Sequence, residues 1–536
     1  MLRKASAVHA LSVRTGAPLD EVEEMRELAL INPTRRQIFC GLSAAAATLA
    51  AARRGVAANT PRVAIVGGGI AGLTCARELW RRGGIAAQVY EWNVAAGGRI
   101  QTLRGYFANG QTTEQHGEFI SSEHSETLKL AKHFGLEIEN TYRTPQNSKD
   151  TAWFNGVRYT QRELNRDWRD FGWKLFHDAA REVGNVNYRH YSNQAKKLDN
   201  TSVAEWIDDN VPGGLPSPFG KLCYADVLDE YGGPPEKQSA VNLIYLLGLD
   251  ASRGNGNQPR SWPELGGSDE KWHIRGGNDQ LITGLVSELP AGTINLDYRL
   301  EALRENASGS FTASFATAGR SVDVVTDHVV LALPFTTLRN VDMAHVTLSA
   351  LKRQAIASLP LGNNVKIHVQ VAGRPWVPDG YNGDQLSDML SQSGWDASSY
   401  QNQTRKTEIY GCLPGGTQGL AIGPKYGLSQ DNYMGPAPIA LVDDTLASLE
   451  PIFPGMTAAW NAGPKLAWVN DGNLDPHLLG AWSQYNVGQY TSFGGSEGLR
   501  QGNIHFAGEH TSFGFQGYIE GAVRSGIRVA KEILGS

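Results

Sequence analysis

The sequence contains little cysteine, and this scarcity limits the kinds of site it can form. Four cysteines occur in 536 residues, at Cys40, Cys75, Cys223 and Cys412. Their wide spacing provides neither the disulfide framework of a small secreted domain nor the clustered thiols of a metal site. Basic residues are fewer than acidic ones, 49 against 54, which gives a net charge of −5. A nucleic-acid partner is therefore not expected.

An apolar stretch long enough for a membrane span is also missing from the N-terminal region. The Ala-rich run that ends near Ala52 is shorter than the about 20 residues a span requires. It follows Arg35-Arg36 and precedes the small residues Val56-Ala57-Ala58, a pattern typical of a twin-arginine export leader. We expect residues 1–58 to be such a leader and the protein to be periplasmic or secreted. The alternative, an N-terminal helix, would leave it in the cytoplasm.

The rest of the chain has the composition of a soluble globular protein. Hydrophobic residues make up 41% and charged residues 19% of the sequence, which is ordinary for folded domains. At this length two connected domains are expected rather than one core. Thirteen tryptophans and 18 tyrosines provide enough aromatic side chains to line a pocket for a planar cofactor.

A β-α-β unit begins at residue 62. Residues 62–66 form a short β-branched run typical of a buried parallel strand, and the glycine pattern Gly67–Gly72 follows it directly. Apolar residues at helical spacing come next, and residues 87–91 predict a second strand that ends at Glu91. Strand, G-x-G-x-x-G, helix, strand and terminal acid together predict dinucleotide binding.

Each glycine of this pattern has a separate physical role. Gly67 permits the tight turn, Gly69 lets the main chain approach a pyrophosphate at the positive end of the helix, and Gly72 lets helix and strand pack closely. Glu91 is placed to accept hydrogen bonds from both ribose hydroxyls. Its negative charge would repel a 2′-phosphate, so NADP is disfavoured.

The segment after the second strand identifies a family resemblance. Residues 96–100, Ala-Gly-Gly-Arg-Ile, resemble the Gly-Gly-Arg turn of the flavin amine oxidases, whose arginine lies against the FAD pyrophosphate and the flavin edge. Residues 114–120, 272–278 and 504–522 also resemble family segments, in the family's order. The resemblance extends from residue 61 to residue 536.

The resemblance implies an α/β protein with an FAD-binding Rossmann-like domain of the glutathione-reductase type, an interleaved α+β substrate-binding domain and a helical subdomain. The implied boundaries are a discontinuous FAD domain at 59–125, 265–340 and 495–536, a helical part at 126–264 and a substrate-binding domain at 341–494.

The resemblance also implies which residues bind FAD. The start of the last helix would direct main-chain N–H groups at the flavin, where charge accumulates on reduction. Ala481 stands where monoamine oxidases have the cysteine that links to flavin, so we expect non-covalent FAD. The implied cofactor-binding residues are Gly67, Gly69, Ile70, Ala71, Gly72, Glu91, Gly98, Arg99, Gly117, Glu118, Phe119, Leu300, Trp468, Gly508, Glu509, Gly517, Tyr518 and Ile519.

Three residues are candidates for catalysis. Lys366 resembles the family lysine that holds a water near flavin N5, and its position among alternating apolar residues permits an inward side chain. Trp482 and Tyr518 match the segments that, in monoamine oxidases, place two aromatic rings on either side of the substrate nitrogen. Such rings orient an amine and accept its partial positive charge on their faces.

The substrate is less strongly specified. Many L-amino-acid oxidases carry an arginine for the substrate carboxylate, and Ile120 stands at the matching position; Arg275 or Arg374 could replace it. Residues 117–120 together with Trp395, Asp396 and Gln401 resemble a bacterial branch that acts on basic L-amino acids. We therefore expect an oxidase that converts an amine, favouring a basic L-amino acid, to an imine, with O2 reduced to H2O2.

Several alternatives remain open at this point. The chain could be a monoamine or polyamine oxidase, or an L-amino-acid dehydrogenase that passes electrons to a quinone. A scaffold with structural FAD and a lipid isomerase or desaturase would share both FAD-binding ends without needing the aromatic pair. A homodimer is possible.

Overall fold

The structure is a computed structural model that describes residues 60–141, 149–253, 268–401, 406–512 and 514–535. The leader predicted at residues 1–58 lies outside the described residues. In the described part of the chain, no helix combines the length and apolar character needed to cross a bilayer.

Twenty strands occur in the described residues. In chain order they are β1 (Val63–Val66), β2 (Gln88–Tyr90), β3 (Thr102–Leu103), β4 (Thr113–Glu114), β5 (Ile138–Asn140), β6 (Lys149–Phe154), β7 (Val157–Tyr159), β8 (Trp272–Ile274), β9 (Ile294–Asn295), β10 (Arg299–Glu305), β11 (Phe311–Thr317), β12 (Arg320–Thr326), β13 (His328–Leu331), β14 (Val365–Ala372), β15 (Tyr381–Ser387), β16 (Ser393–Asp396), β17 (Thr407–Cys412), β18 (Met434–Pro436), β19 (Ala467–Asp471) and β20 (Ile504–Phe506).

Helices connect and cover these strands. They are α1 (Ile70–Gly83), α2 (Ser125–His133), α3 (Gln161–Asp167), α4 (Trp173–Val183), α5 (Asn193–Asp199), α6 (Val203–Asn210), α7 (Pro218–Tyr231), α8 (Ala240–Arg253), α9 (Gln280–Ser287), α10 (Phe335–Leu338), α11 (Ala350–Ser358), α12 (Gly416–Tyr426), α13 (Ile439–Leu449), α14 (Met456–Ala462), α15 (Gln489–Ser492) and α16 (Ile519–Leu534).

A five-stranded parallel sheet of order β20-β13-β1-β2-β9 forms the nucleotide-binding half of the molecule. All four residues of β1 are buried, because other elements pack on both faces of the sheet and a continuous apolar run can contact both of them. Strand β20 comes from the far end of the chain and lies beside β13. The predicted α/β class with a Rossmann-like domain is confirmed, and the sheet joins the two ends of the sequence.

Close packing of α1 on the sheet and on α16 depends on glycine. A Cβ at Gly72 would lie 2.1 Å from the carbonyl oxygen of Gly67, and a Cβ at Gly526 would lie 2.3 Å from that of Ala71. Neither position has room for a side chain. Helix α1 ends at Gly83, and the next residue, Gly84, has the left-handed conformation common after helix ends.

A mixed eight-stranded sheet, of order β18-β19-β14-β17-β16-β15-β6-β7, forms the other half. Strand β14 lies near its middle and is buried on both faces except at its last residue. Strands β6 and β7 belong to this sheet, although their residues fall within 126–264, where the sequence predicted the helical part. Helices α3–α8 follow β7 in the described part of that range, and they pack around a hydrophobic core that also includes residues of β6 and β7.

A smaller antiparallel sheet, β10-β11-β12, packs beside the parallel sheet. Along β11, buried residues alternate with more exposed ones, as expected for a sheet with one side in contact with the core. Leu300 on β10 and Tyr90 on β2 belong to the same hydrophobic cluster.

The contact between α1 and α16 gives a stability prediction. Gly526→Ala should lower the free energy of unfolding by about 1–3 kcal/mol, because overpacking forces the two helices apart. Gly435→Ala is the matched control, since a Cβ there meets nothing within 4 Å, and it should change stability by less than about 0.5 kcal/mol. Calorimetric melting of the two variants tests this. Equal melting temperatures for Gly526→Ala and the wild type would contradict the tight packing.

Candidate active site

A cavity of about 660 Å³ lies between the parallel sheet and the eight-stranded sheet. Its size is within the range of cofactor and ligand pockets. Residues distant in sequence line it together. Of the residues expected from the sequence, those that line it are Gly67, Gly69, Ile70, Ala71, Glu91, Gly98, Arg99, Gly117, Glu118, Phe119, Leu300, Lys366, Trp482, Gly508, Glu509, Gly517, Tyr518 and Ile519.

The N-terminus of α1 opens onto this cavity. The helix begins after Gly69, whose position provides no side-chain cap, and its first turn contains no acidic residue. The first N–H groups of a helix have no partner within the helix and carry partial positive charge. This end is therefore suited to an anion such as a pyrophosphate.

Glu91 directly follows β2, and two main-chain N–H groups orient its carboxylate. The main-chain N–H of Gly68 donates to Glu91 Oε2 at 2.6 Å, and that of Asn93 donates to Oε1 at 2.7 Å. Burial raises the pKa of Glu91, and the two donors partly offset that effect. Each carboxylate oxygen keeps a further lone pair for a hydroxyl donor.

Arg99 connects three separate segments of the chain. Its guanidinium donates to the carbonyl oxygen of Ala481 at 2.7 Å and to Glu509 Oε1 at 2.9 Å. The other oxygen of Glu509 accepts from Ser483 Oγ at 2.7 Å and from the N–H of Gly517 at 2.8 Å. Burial alone would raise the pKa of Glu509, but the charge of Arg99 and the hydrogen bonds bring it below its ordinary value.

Lys366 on β14 points inward and has three acceptors. Its Nζ donates to Glu118 Oε2 at 2.6 Å, to the carbonyl oxygen of His116 at 2.8 Å and to that of Glu114 at 3.1 Å. The Glu118 carboxylate also accepts from Trp395 Nε1 at 3.0 Å. The Lys366 ammonium is thus fully hydrogen-bonded and paired with the buried carboxylate of Glu118. The sequence predicts for Glu118 only a role in cofactor binding.

The two predicted aromatic residues meet at one acidic residue. Trp482 Nε1 donates to the main-chain carbonyl of Glu230 at 2.6 Å, and Tyr518 Oη donates to the Glu230 carboxylate at 2.7 Å. A Cβ at Gly517 would lie 3.1 Å from the Trp482 ring, so the chain before Tyr518 passes close to the indole. Glu230 is not among the residues expected from the sequence.

Three acidic residues contribute to the wall near these rings: Asp229, Glu230 and Glu270. Burial raises the pKa of Asp229 to about 6 and that of Glu230 to about 8. Burial, together with the nearby charges of Glu230, Asp229 and Glu118, raises the pKa of Glu270 well above its ordinary value. Crowded, desolvated carboxyls of this kind favour a positively charged ligand.

A sequence signal for these acids existed on α7. Asp226, Asp229 and Glu230 are spaced i, i+3, i+4 within a largely apolar helix, so they share one face. Acidic residues on the face of a buried helix are rare unless they are paired or functional. Glu270 gave no local signal, because its position depends on how the chain returns to the parallel sheet.

Two residues from the predicted set do not line the cavity. Gly72 packs against the turn at Gly67, as its expected packing role requires. Trp468 lies on the same face of β19 as the lining residue Asn470, but two residues away, and its ring packs against Tyr106 at 4.8 Å between centroids.

The two arginines that could replace the missing carboxylate partner are engaged elsewhere. Arg275 pairs with Glu139 and Glu137, and Arg374 pairs with Asp396 and Glu408. Neither belongs to the lining of the cavity, and Ile120 is fully buried. Gln401 bonds to the main chain of Thr112.

The cavity fits the expected FAD on features of the protein itself. The uncapped start of α1 and the carboxylate of Glu91 lie on the same cavity wall. Gly98 has a φ of +56°, and a Cβ there would approach Gly69 to 3.3 Å. The main chain at Gly98 therefore lies close to the start of α1, with little room for a side chain between them. Among the described residues, the lining side chains of Gln115 and Asn470 each have a buried amide oxygen without a hydrogen-bond partner. Such oxygens are available to donors of a bound group.

Comparison with known proteins gives a family for this chain. The flavin containing amine oxidoreductase family matches residues 70–534. An L-amino-acid oxidase of Siganus canaliculatus is 26% identical over 493 residues, which are 88% of this chain and 85% of that protein. An L-amino acid dehydrogenase of Synechocystis sp. is 23% identical over 88% of this chain and 94% of its own length.

Solved structures agree with the fold. Cyclohexylamine oxidase from Brevibacterium oxydans superposes with a TM-score of 0.71 at 21% identity and covers 89% of this chain and 99% of its own. A wild-type putrescine oxidase bound to putrescine superposes with a TM-score of 0.70 at 21% identity and the same coverage. At these identities the similarity establishes the fold.

The buried pair of Lys366 and Glu118 gives a second stability prediction. Lys366→Met should destabilise the protein by about 3–5 kcal/mol, because it leaves the Glu118 charge buried and unpaired. The double variant Glu118→Gln/Lys366→Met should recover most of that loss, since no unpaired charge remains and the amide oxygen can still accept from Trp395.

Lys425→Met is the matched control, because Lys425 pairs with Asp444 at the surface and its loss should leave the melting temperature unchanged. Calorimetry on these variants and the wild type measures this. A double variant no more stable than Lys366→Met would show that the ion pair is not the source of the effect.

Proposed function

The chain belongs to the flavin-containing amine oxidoreductase family, and from this premise we propose that it oxidises a small amine that carries a second positive charge. The amine CH–NH2 group loses two electrons and two protons and becomes an imine. Water hydrolyses the imine to a carbonyl compound and ammonia, and O2 takes up two electrons and two protons to give H2O2.

The observation that carries this proposal is the acidic wall beside the aromatic pair. Asp229, Glu230 and Glu270 lie together on the lining of the same cavity as Trp482 and Tyr518. Carboxylates and aromatic faces both attract cations. A diamine, or an amino acid with a basic side chain, fits such a wall better than a neutral substrate does.

The protein's own residues provide binding and orientation. FAD, when bound, would accept the hydride from the C–H bond of the carbon that carries the substrate nitrogen. The start of α1 and Glu91 are suited to hold its pyrophosphate and ribose, and the ion pair of Arg99 with Glu509 fixes the segments around it. Trp482 and Tyr518 orient the substrate nitrogen, and a correctly held reactant lowers the entropic part of the barrier.

Non-covalent binding of FAD is part of the proposal. Ala481 offers no thiol at the position where monoamine oxidases have their linking cysteine. The three cysteines in the described part of the chain are buried and are not among the lining residues. Burial raises the pKa of each of these thiols, which suppresses the nucleophilic thiolate.

A diamine is favoured over a basic L-amino acid by the positive charges of the cavity. Among the described lining residues the permanent cations are Arg99, Arg299 and Lys366. Each is already paired, with Glu509, Glu301 and Glu118 respectively. A substrate carboxylate would have to compete for these partners or be buried near the acidic wall, which is unfavourable.

The basic L-amino acid remains the second candidate. It is supported by the relatives named L-amino-acid oxidase and L-amino acid dehydrogenase, and the acidic wall would bind its side-chain cation. Relatives named dehydrogenase support an electron acceptor other than O2, and a quinone is the alternative that we propose. Parallel reoxidation of the reduced enzyme by O2 and by a soluble quinone distinguishes the two acceptors.

Anaerobic bleaching of the flavin absorbance tests the substrate class. 1,4-Diaminobutane should bleach the flavin at lower concentration than butylamine, and L-lysine or L-arginine should bleach it at lower concentration than L-leucine. The physical reason is the charge of the wall, which only the first member of each pair can use. No bleaching by any of these compounds would refute amine oxidation, and L-leucine acting as well as L-lysine would refute the preference for a second positive charge.

A further inference from the structure

Glu230 makes contacts that electron transfer to the flavin does not itself require. It is the second-last residue of α7, and it lines the cavity. Its main-chain carbonyl accepts from Trp482 and its carboxylate accepts from Tyr518. One residue of the helical region therefore contacts both rings of the aromatic pair, although the rings come from two other segments.

These contacts restrict both rings. The indole N–H of Trp482 is anchored at 2.6 Å, and the ring edge is bounded by the close passage of Gly517. Tyr518 is anchored at its hydroxyl end, 2.7 Å from the Glu230 carboxylate. Two anchored rings present fixed faces to a substrate nitrogen, which is the condition for orienting it.

Several charged or titratable groups face Glu230 from the elements around it. Asp229 and Asp226 belong to the same helix, Glu270 comes from the segment before β8, and Tyr518 comes from the start of α16. Glu118 and Lys366 lie near Glu270 on the same wall. Acidic groups thus predominate around Glu230, and the one ammonium among the groups named here is already paired with Glu118.

The pKa of Glu230 is raised to about 8, chiefly by burial; the hydrogen bond from Tyr518 opposes this rise and the charge of Asp229 adds to it. Near neutral pH the carboxyl is therefore largely protonated in the free protein, and it ionises as pH rises through about 8. A cation placed beside it would stabilise the ionised form.

From these contacts, and resting on the proposed function, we infer that Glu230 is a positioning and specificity-determining residue for amine oxidation. Its main-chain carbonyl positions Trp482 and its carboxylate positions Tyr518. The same carboxylate selects a substrate whose second group is a cation.

Two substitutions at Glu230 separate positioning from charge. Glu230→Gln keeps an oxygen that can accept from Tyr518 and removes the charge, whereas Glu230→Leu removes both. Both variants keep the main-chain carbonyl that holds Trp482. The matched control is Glu236→Gln, because the Glu236 carboxylate accepts from Tyr224 at 2.8 Å in an exposed position outside the cavity.

The first readout is the ratio of kcat/KM for 1,4-diaminobutane to that for butylamine. Above about pH 8, where the carboxyl is ionised, Glu230→Gln should lower this ratio by at least about tenfold, mainly through the KM of the diamine, since a charge partner is lost. The ratio should rise with pH through about 8 in the wild type and lose that rise in Glu230→Gln. Glu236→Gln should behave as the wild type in both respects.

The second readout is kcat for butylamine, which reports positioning. Glu230→Leu should lower it by about tenfold or more, and Glu230→Gln should restore most of that loss. Tyr518→Phe keeps the ring and the Glu230 charge but loses the bond, so it should lower kcat while the diamine preference persists. Flavin content and melting temperature of each variant establish that it is folded.

The outcomes separate the two proposals. A wild type that oxidises neither 1,4-diaminobutane nor L-lysine nor L-arginine would refute the proposed function. A wild type that oxidises both amines, with an unchanged diamine preference in Glu230→Gln, would overturn the role of Glu230 alone. Equal butylamine kcat in Glu230→Leu and the wild type would overturn its positioning role.

Discussion

The ion pair between Arg99 and Glu509 holds the active site together. Arg99 follows the first β-α-β unit, Glu509 follows the last strand of the parallel sheet, and the pair lies 2.9 Å apart at the cavity wall. Arg99 also binds the carbonyl of Ala481, and Glu509 binds the N–H of Gly517. Since these two residues directly precede Trp482 and Tyr518, one ion pair fixes the main chain beside both aromatic rings.

The second constraint acts on the same rings through their polar atoms. Glu230 reaches them from a helix that belongs to the core of the helical region. The rings are thus held by the nucleotide-binding half through their main chain and by the helical half through their side chains. This arrangement gives the Glu230 carboxyl a partner on a largely apolar helix, where an unpaired carboxyl would be costly.

Sequence and structure agree most closely where function depends on the main chain. Gly67 and Gly72 have roles that the sequence pattern alone predicts, because only glycine permits the main-chain approaches that they make. Lys366 was expected to point inward, and it does, but its pairing with Glu118 required two segments to meet. Trp468 is not among the residues that line the cavity, and its ring packs against Tyr106, so its cofactor-binding role stays a prediction.

Local sequence was sufficient to predict the dinucleotide-binding unit, because it follows from periodicity and from glycine positions close together in the chain. The family and the α/β fold were predicted from the resemblance of short local motifs to known family segments. Which charges meet depended on the tertiary structure. Asp229, Glu230 and Glu270 form one wall, and Arg275 and Arg374 are engaged away from it. The reason is physical: a main-chain turn is specified by its own residues, whereas the charge of a cavity is the sum of side chains that the fold brings together from distant segments.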